Sequence, residues 1–191
     1  MIVGVDVDGV LACFFKAYED LTVKVAGVDL FPARYPAVLP PTWDWPEHYG
    51  YSAETMKEVW RQIKADTLFW KNLDPLPGAV NFLKKLYSTN HEVYFITDRA
   101  GNEPQFQTHW WLQDQGFDEP NVIISRKGKG SACTALSIEL YIDDKGENVL
   151  DVMEKSPETR TLLLTYPYNK HIEGVERIEG LEEVFDYIPA K

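Results

Sequence analysis

The chain has 191 residues, 45% hydrophobic and 26% charged, which suits one globular domain or one domain carrying a modest insertion. With 30 Asp and Glu against 19 Lys and Arg, its formal charge is −11, a field that repels polyanions and argues against a DNA or RNA partner. No apolar stretch approaches the ~18–20 residues of a membrane span, and an apolar run leading to Asp6 opens the chain with no basic region before it, so a cytoplasmic protein without a membrane partner is expected, its Cys13 and Cys133 reduced thiols.

Residues 2–5 read as a short buried strand ending at Asp6. Residues 12–26 then read as a helix, 28–46 are rich in proline and aromatics, and Ser52 caps a helix that runs through Trp60 to about Ala65. This stretch is too long for a plain crossover between strands. It predicts a small helical cap over 12–75, inserted after the first strand, with Asp74-Pro75-Leu76-Pro77 leading back into a core made of 1–11 and 76–191. From there helices and strands alternate. Helices are predicted over 79–87, 104–115, 131–136, 148–154 and 181–187; strands over 93–96, 122–124, 140–142 and 161–164. The pattern predicts an α/β fold, a three-layer sandwich around a mainly parallel, Rossmann-like sheet.

In such a fold, ligands bind beyond the carboxyl ends of the strands. The polar residues found there are Asp6 and Asp8, Thr97 and Asp98, the loop 125–130, and Asp143 with Asp144. Carboxylates crowded together repel unless a cation lies among them, and hard oxygen donors with no His or Cys indicate Mg2+. A magnesium ion, a lysine and a hydroxyl together suit a phosphoryl group. An Asp is a competent nucleophile toward phosphorus, and a second Asp two residues on is placed to move the proton of the leaving oxygen.

Asp6-Val7-Asp8-Gly9-Val10-Leu11, Phe95-Ile96-Thr97-Asp98-Arg99 and Tyr141-Ile142-Asp143-Asp144 resemble, in order, three motifs of the haloacid-dehalogenase (HAD) superfamily. Residues 75–80, the aromatic insert, 143–148 and 164–169 are similar to the 5′(3′)-deoxyribonucleotidase family, which extends the likeness over nearly the whole chain. The resemblance implies a HAD-like core and a phosphatase of nucleoside monophosphates working through an aspartyl-phosphate. It makes Asp6 the nucleophile and a metal ligand, Asp8 the acid/base and a ligand through its carbonyl, Asp143 the remaining ligand with Asp144 in support, and Thr97 and the amide of Asp98 phosphate contacts. The lysine of the third motif is Lys127 or Lys129; Gly130-Ser131 following like a helix start favours Lys129. Motif two departs from other members at Asp98-Arg99, which leaves a phosphate contact by Arg99 open.

Among the aromatics, Phe14, Trp43, Trp45, Phe69 and Trp70 are the candidates for a base-stacking pocket, while Trp60, at helical spacing with Met56 and Ile63, reads as core of the insert. The four His show no ligand spacing. The expected partner is a small phosphate monoester, which the resemblance makes a deoxynucleotide; the oligomeric state, homodimer included, is left open. The rival readings are a phosphatase of another small metabolite, such as a sugar phosphate, and a non-catalytic binding protein on the same scaffold.

Overall fold

A computed structural model describes residues 1–88 and 91–188. Among these residues six strands form one sheet: β1 (Ile2–Val5), β2 (Glu92–Thr97), β3 (Asn121–Ile124), β4 (Leu140–Asp143), β5 (Arg160–Leu164) and β6 (Arg177–Ile178). Their order is β3-β2-β1-β4-β5-β6, and every pairing is parallel. Five of the strands follow the apolar runs of the sequence. The sixth was not anticipated, because two residues set between glutamates carry no periodicity to read.

Alternate residues of the sheet point to opposite faces. Val3, Val5, Phe95, Leu140 and Ile142 join the larger core, whereas Ile96 and Tyr141 join a smaller one with Cys133, Ile138 and Val152. Helices α4 (Ala79–Ser88) and α5 (Pro104–Asp114), α6 (Gly130–Leu136) and α7 (Gly146–Lys155) connect the strands. The stretch 181–186, expected as a helix, is a 3₁₀ turn that returns Leu181 and Val184 to the core.

The chain leaves the sheet after Ala12 and returns beside its own exit. The Cys13 N–H donates to the Asp74 carbonyl at 2.7 Å, and the Leu76 N–H to the Leu11 carbonyl at 2.8 Å. Between these points lie α1 (Phe14–Ala26), the single turn α2 (Trp45–His48) and α3 (Ala53–Ala65). Helix α1 ends at Gly27, whose φ of 68° lets its N–H reach the Val23 carbonyl. Helix α3 starts as its sequence indicates, with the Ser52 hydroxyl accepting from the Thr55 N–H. A buried side chain anchors the proline-rich connection: the Glu19 carboxylate accepts from the Tyr35 N–H at 2.9 Å and the Trp45 indole N–H at 3.1 Å.

Candidate active site

The strand register brings the polar residues together. Val5 is level with Phe95 on one side and Ile142 on the other, so Asp6 and Asp143 emerge side by side at the carboxyl end of the sheet, with Thr97 one residue further along β2. The Asp6 N–H donates to the Ile142 carbonyl at 2.9 Å, which fixes the backbone next to β4. The turn after Asp6 depends on Gly9: its φ is +83°, and a Cβ there would sit 2.2 Å from the Asp144 carboxylate.

Lys129, rather than the exposed Lys127, enters the site. Its ammonium donates to Asp6 Oδ1 at 2.7 Å and also to the Ile96 carbonyl. The loop carrying it is tied to α7, because the Gly130 N–H donates to Asp151 Oδ2 at 2.7 Å. Asp143 accepts from the Tyr141 hydroxyl, from Asn148 Nδ2 at 3.0 Å and from the Lys145 N–H at 2.8 Å. Tyr141 lies two residues before Asp143 on the same face of β4, over Gly4, where a Cβ would sit 2.9 Å from the ring. Asp144 accepts from the Tyr168 hydroxyl.

Three buried carboxylates thus face one ammonium. Burial pushes the Asp6 carboxyl up to about 8, against the pull of Lys129. Burial likewise raises Asp143, and raises Asp144 strongly, with the neighbouring carboxylates adding to it. Burial alone would lower Lys129, but Asp6 and Asp143 outweigh it and the ammonium is held charged. One oxygen from each of Asp6, Asp143 and Asp144 lies within 4.8 Å of the others. A hard divalent cation fits this donor set: it supplies the missing positive charge and takes only oxygen ligands.

These carboxylates floor a cleft of about 270 Å³. Asp8, Thr97, Asp98, Lys129, Lys145 and Asn148 complete its polar side, and Phe14, Trp43, Trp60 and Trp70 form its aromatic side. Of the five aromatics expected in a base pocket, Phe14, Trp43 and Trp70 line this cleft. Trp45 does not: its N–H is drawn to buried Glu19 and its ring packs edge-on against Tyr18, leaving it 3% exposed. Phe69 lies behind Trp70, ring centroids 5.0 Å apart, and faces a separate groove with Leu21 and Gln62. Trp60, expected in the core of the insert, is the ring that replaces them. Helical spacing places Trp60 near Met56 and Ile63 but cannot tell a core-facing flank from one turned to a cleft. Arg99 is not among the residues lining the cleft; it is fully buried and forks onto Asp8, which does line it.

The family described as 5′ nucleotidase, deoxy (pyrimidine), cytosolic type C protein matches residues 1–191. The chain belongs to this family. It is therefore a phosphoric monoester hydrolase of the 5′-nucleotidase type on a HAD-like fold. A Bacillus cereus protein with a provisional nucleotidase name is 28% identical over 97% of this chain and 96% of its own. The human mitochondrial 5′(3′)-deoxyribonucleotidase is 27% identical over 88% of this chain and 72% of its own. Among solved structures, a haloacid dehalogenase-like hydrolase of Streptococcus pneumoniae superposes with a TM-score of 0.63 at 14% identity, covering 98% of both chains. The HAD hydrolase YfnB of Bacillus subtilis, solved with magnesium, gives 0.63 at 15% identity, covering 97% of both. Such likenesses carry the fold. Among the described residues no helix is long and apolar enough to cross a membrane.

Proposed function

We propose that this enzyme hydrolyses (deoxy)ribonucleoside monophosphates through a phosphoaspartyl intermediate on Asp6, with the insert 12–75 acting as the cap that covers the base. The observation that carries the reading is a single cleft lined both by Asp6 and Lys129 and by the rings of Phe14, Trp43, Trp60 and Trp70. A phosphate held by the polar lining leaves its nucleoside against flat apolar rings, and a base stacks on such rings with ~1–3 kcal/mol per contact.

In this reading an Asp6 oxygen attacks phosphorus, the bond to the nucleoside oxygen breaks, and Asp8 delivers a proton to that oxygen. Asp8 then takes a proton from the water that cleaves the phosphoaspartyl bond, which regenerates the Asp6 carboxylate and releases inorganic phosphate. Lys129 orients Asp6 and offsets negative charge on the phosphoryl oxygens, and in this reading the Thr97 hydroxyl and the Asp98 amide act as further donors. Magnesium, held by Asp6, Asp143, the Asp8 carbonyl and supported by Asp144, would neutralise the phosphoryl group and shield the attacking carboxylate from it.

The test is phosphate release across nucleoside monophosphates and sugar phosphates, with magnesium and with excess chelator. Turnover of nucleotides above the sugar phosphates, lost in chelator, supports the proposal. A clear preference for a sugar phosphate would move the assignment to another small metabolite, and full activity in chelator would overturn the metal.

A further inference from the structure

Asp8 lies beyond β1, in an isolated bridge with Ala12 just before the turn at Gly9, so no strand of the sheet aims its carboxylate. Its carboxylate accepts a long hydrogen bond from the Thr97 hydroxyl at 3.4 Å and two short ones from Arg99, whose Nε donates to Asp8 Oδ2 at 2.9 Å and whose second terminal nitrogen donates to Oδ1 at 2.8 Å. The remaining terminal nitrogen donates to the Thr108 hydroxyl on α5 at 3.0 Å, and that hydroxyl is anchored on the Pro104 carbonyl at 2.6 Å. The guanidinium is 0% exposed and lies outside the cleft lining, so it meets neither solvent nor a ligand there. Its outer surface is covered by the Trp70 ring, 5.2 Å from the guanidinium carbon. Trp70 in turn is pinned by its indole N–H to the Ala100 carbonyl at 2.8 Å and its backbone N–H to Gln107 Oε1 at 3.0 Å.

We infer that Arg99 is a positioning residue that works through Asp8: it holds both carboxylate oxygens in one orientation at the edge of the cleft, with Trp70 sealing the fork from water. A buried guanidinium is stable only with its partner anion in place, and a planar two-point fork fixes a carboxylate's rotation as a single ammonium does not. The inference rests on the acid/base role proposed for Asp8, and extends it to a residue that touches no substrate.

The experiment measures kcat/KM on a deoxynucleoside 5′-monophosphate and on p-nitrophenyl phosphate for Arg99→Lys, Arg99→Met, Asp8→Asn and the Arg99/Asp8 double variants, each checked for folding by thermal melting. This constant reports the steps up to departure of the leaving group, where the two substrates differ. Nitrophenolate needs little protonation. Arg99→Lys is expected to lower the nucleotide value roughly 10–100-fold, the range for a misaimed catalytic group, with a much smaller loss on the aryl phosphate. In the Asp8→Asn background the same change should cost less than about twofold, since a residue acting through Asp8 has nothing left to aim. If Arg99→Met does not fold, Thr108→Val, which releases only the third anchor, should give the same pattern in weaker form. Equal losses on both substrates, or undiminished losses in the Asp8→Asn background, overturn the inference while leaving the role of Asp8 intact. If Asp8→Asn itself loses both substrates in parallel, the acid/base reading fails and the inference with it.

Discussion

The floor and the wall of the cleft are built by different means. The floor consists of side chains at the ends of parallel strands, each fixed by a short backbone step and by hydrogen bonds from Tyr141, Asn148, Tyr168 and Lys129. The wall consists of rings from four separate places, α1, the proline-rich connection, α3 and the chain after α3, which meet only after folding. Phe14 stacks on Trp70 with centroids 5.8 Å apart, while Trp43 comes from a different segment and packs edge-on against Tyr168. The floor is therefore dense with charge and intolerant of change, and the wall is modular. Substitutions in the floor should act on every substrate alike, and those in the wall should act on some substrates and not others.

The strongest break of the floor is Asp6→Asn. An amide is a far poorer nucleophile and metal ligand, so turnover should fall by roughly 10⁴-fold or more on nucleotide and aryl phosphate together, without loss of the fold. Near-normal activity in a folded variant, measured by phosphate release, would remove the covalent mechanism. Lys129→Met should come next, at roughly 10²–10³-fold on both substrates, the typical loss on removing one charge-stabilising donor. It also leaves Asp6 without its ammonium, so a melting curve belongs with the kinetics.

Acidity offers a third test of the floor. The Asp6 carboxyl is held up to about 8 by burial, and Asp143 and Asp144 are raised as well. A carboxyl whose folded pKa is raised binds more protons folded than unfolded, so in the metal-free protein its contribution to stability is full below about pH 4 and is lost as the pH rises toward 8. A divalent cation must displace those protons. Its apparent affinity should weaken by up to about tenfold per pH unit for each proton displaced as the pH falls from 8 to 6. The stabilisation seen on adding magnesium should therefore be larger at pH 8 than at pH 6 by calorimetry. A magnesium effect independent of pH would show that the acidic cluster is not where the ion binds.

The two regions were also unequally legible in the sequence. A strand end is a position that local pattern can mark, so Asp6, Thr97, Asp98, Asp143 and Asp144, each just after or at the end of a short apolar run, are legible in the sequence, and the structure brings them to one cleft with Lys129. Even there the sequence left Lys127 and Lys129 open, because the choice turns on how the Gly128-containing loop folds onto Asp151. The wall depends on which flank of a helix or loop meets which neighbour. Trp60 lies on a helix whose other flank is core, and Trp45 lies near Trp43 but is captured by a buried glutamate 26 residues earlier. Arg99 was quoted in its motif but its target was not readable, because the fork to Asp8 spans 91 residues of sequence.

Trp43 and Trp45 sharpen the comparison most finely, since they are two residues apart and the structure gives them opposite surroundings. Trp43 is 43% exposed, lines the cleft and lies under the Lys145 ammonium, 4.3 Å from its ring. Trp43→Ala should raise the Michaelis constant for a nucleotide roughly 5–150-fold, the equivalent of the ~1–3 kcal/mol of a base stack, with little change on p-nitrophenyl phosphate. Because Trp43 also touches Tyr168, whose hydroxyl serves Asp144, Trp43→Phe is the proper control: a retained ring should recover most of the nucleotide affinity. Trp45→Ala should behave otherwise. It removes a buried ring and leaves the Glu19 carboxylate short of a donor, so about 3–5 kcal/mol of stability should be lost, read as a lower midpoint in urea. Under conditions where that variant remains folded, its preference between nucleotide and aryl phosphate should be that of the parent. A selective nucleotide defect in Trp45→Ala, or a parallel loss of both activities in Trp43→Ala with no recovery in Trp43→Phe, would show that the wall is not a set of independent rings but one packed unit continuous with the floor.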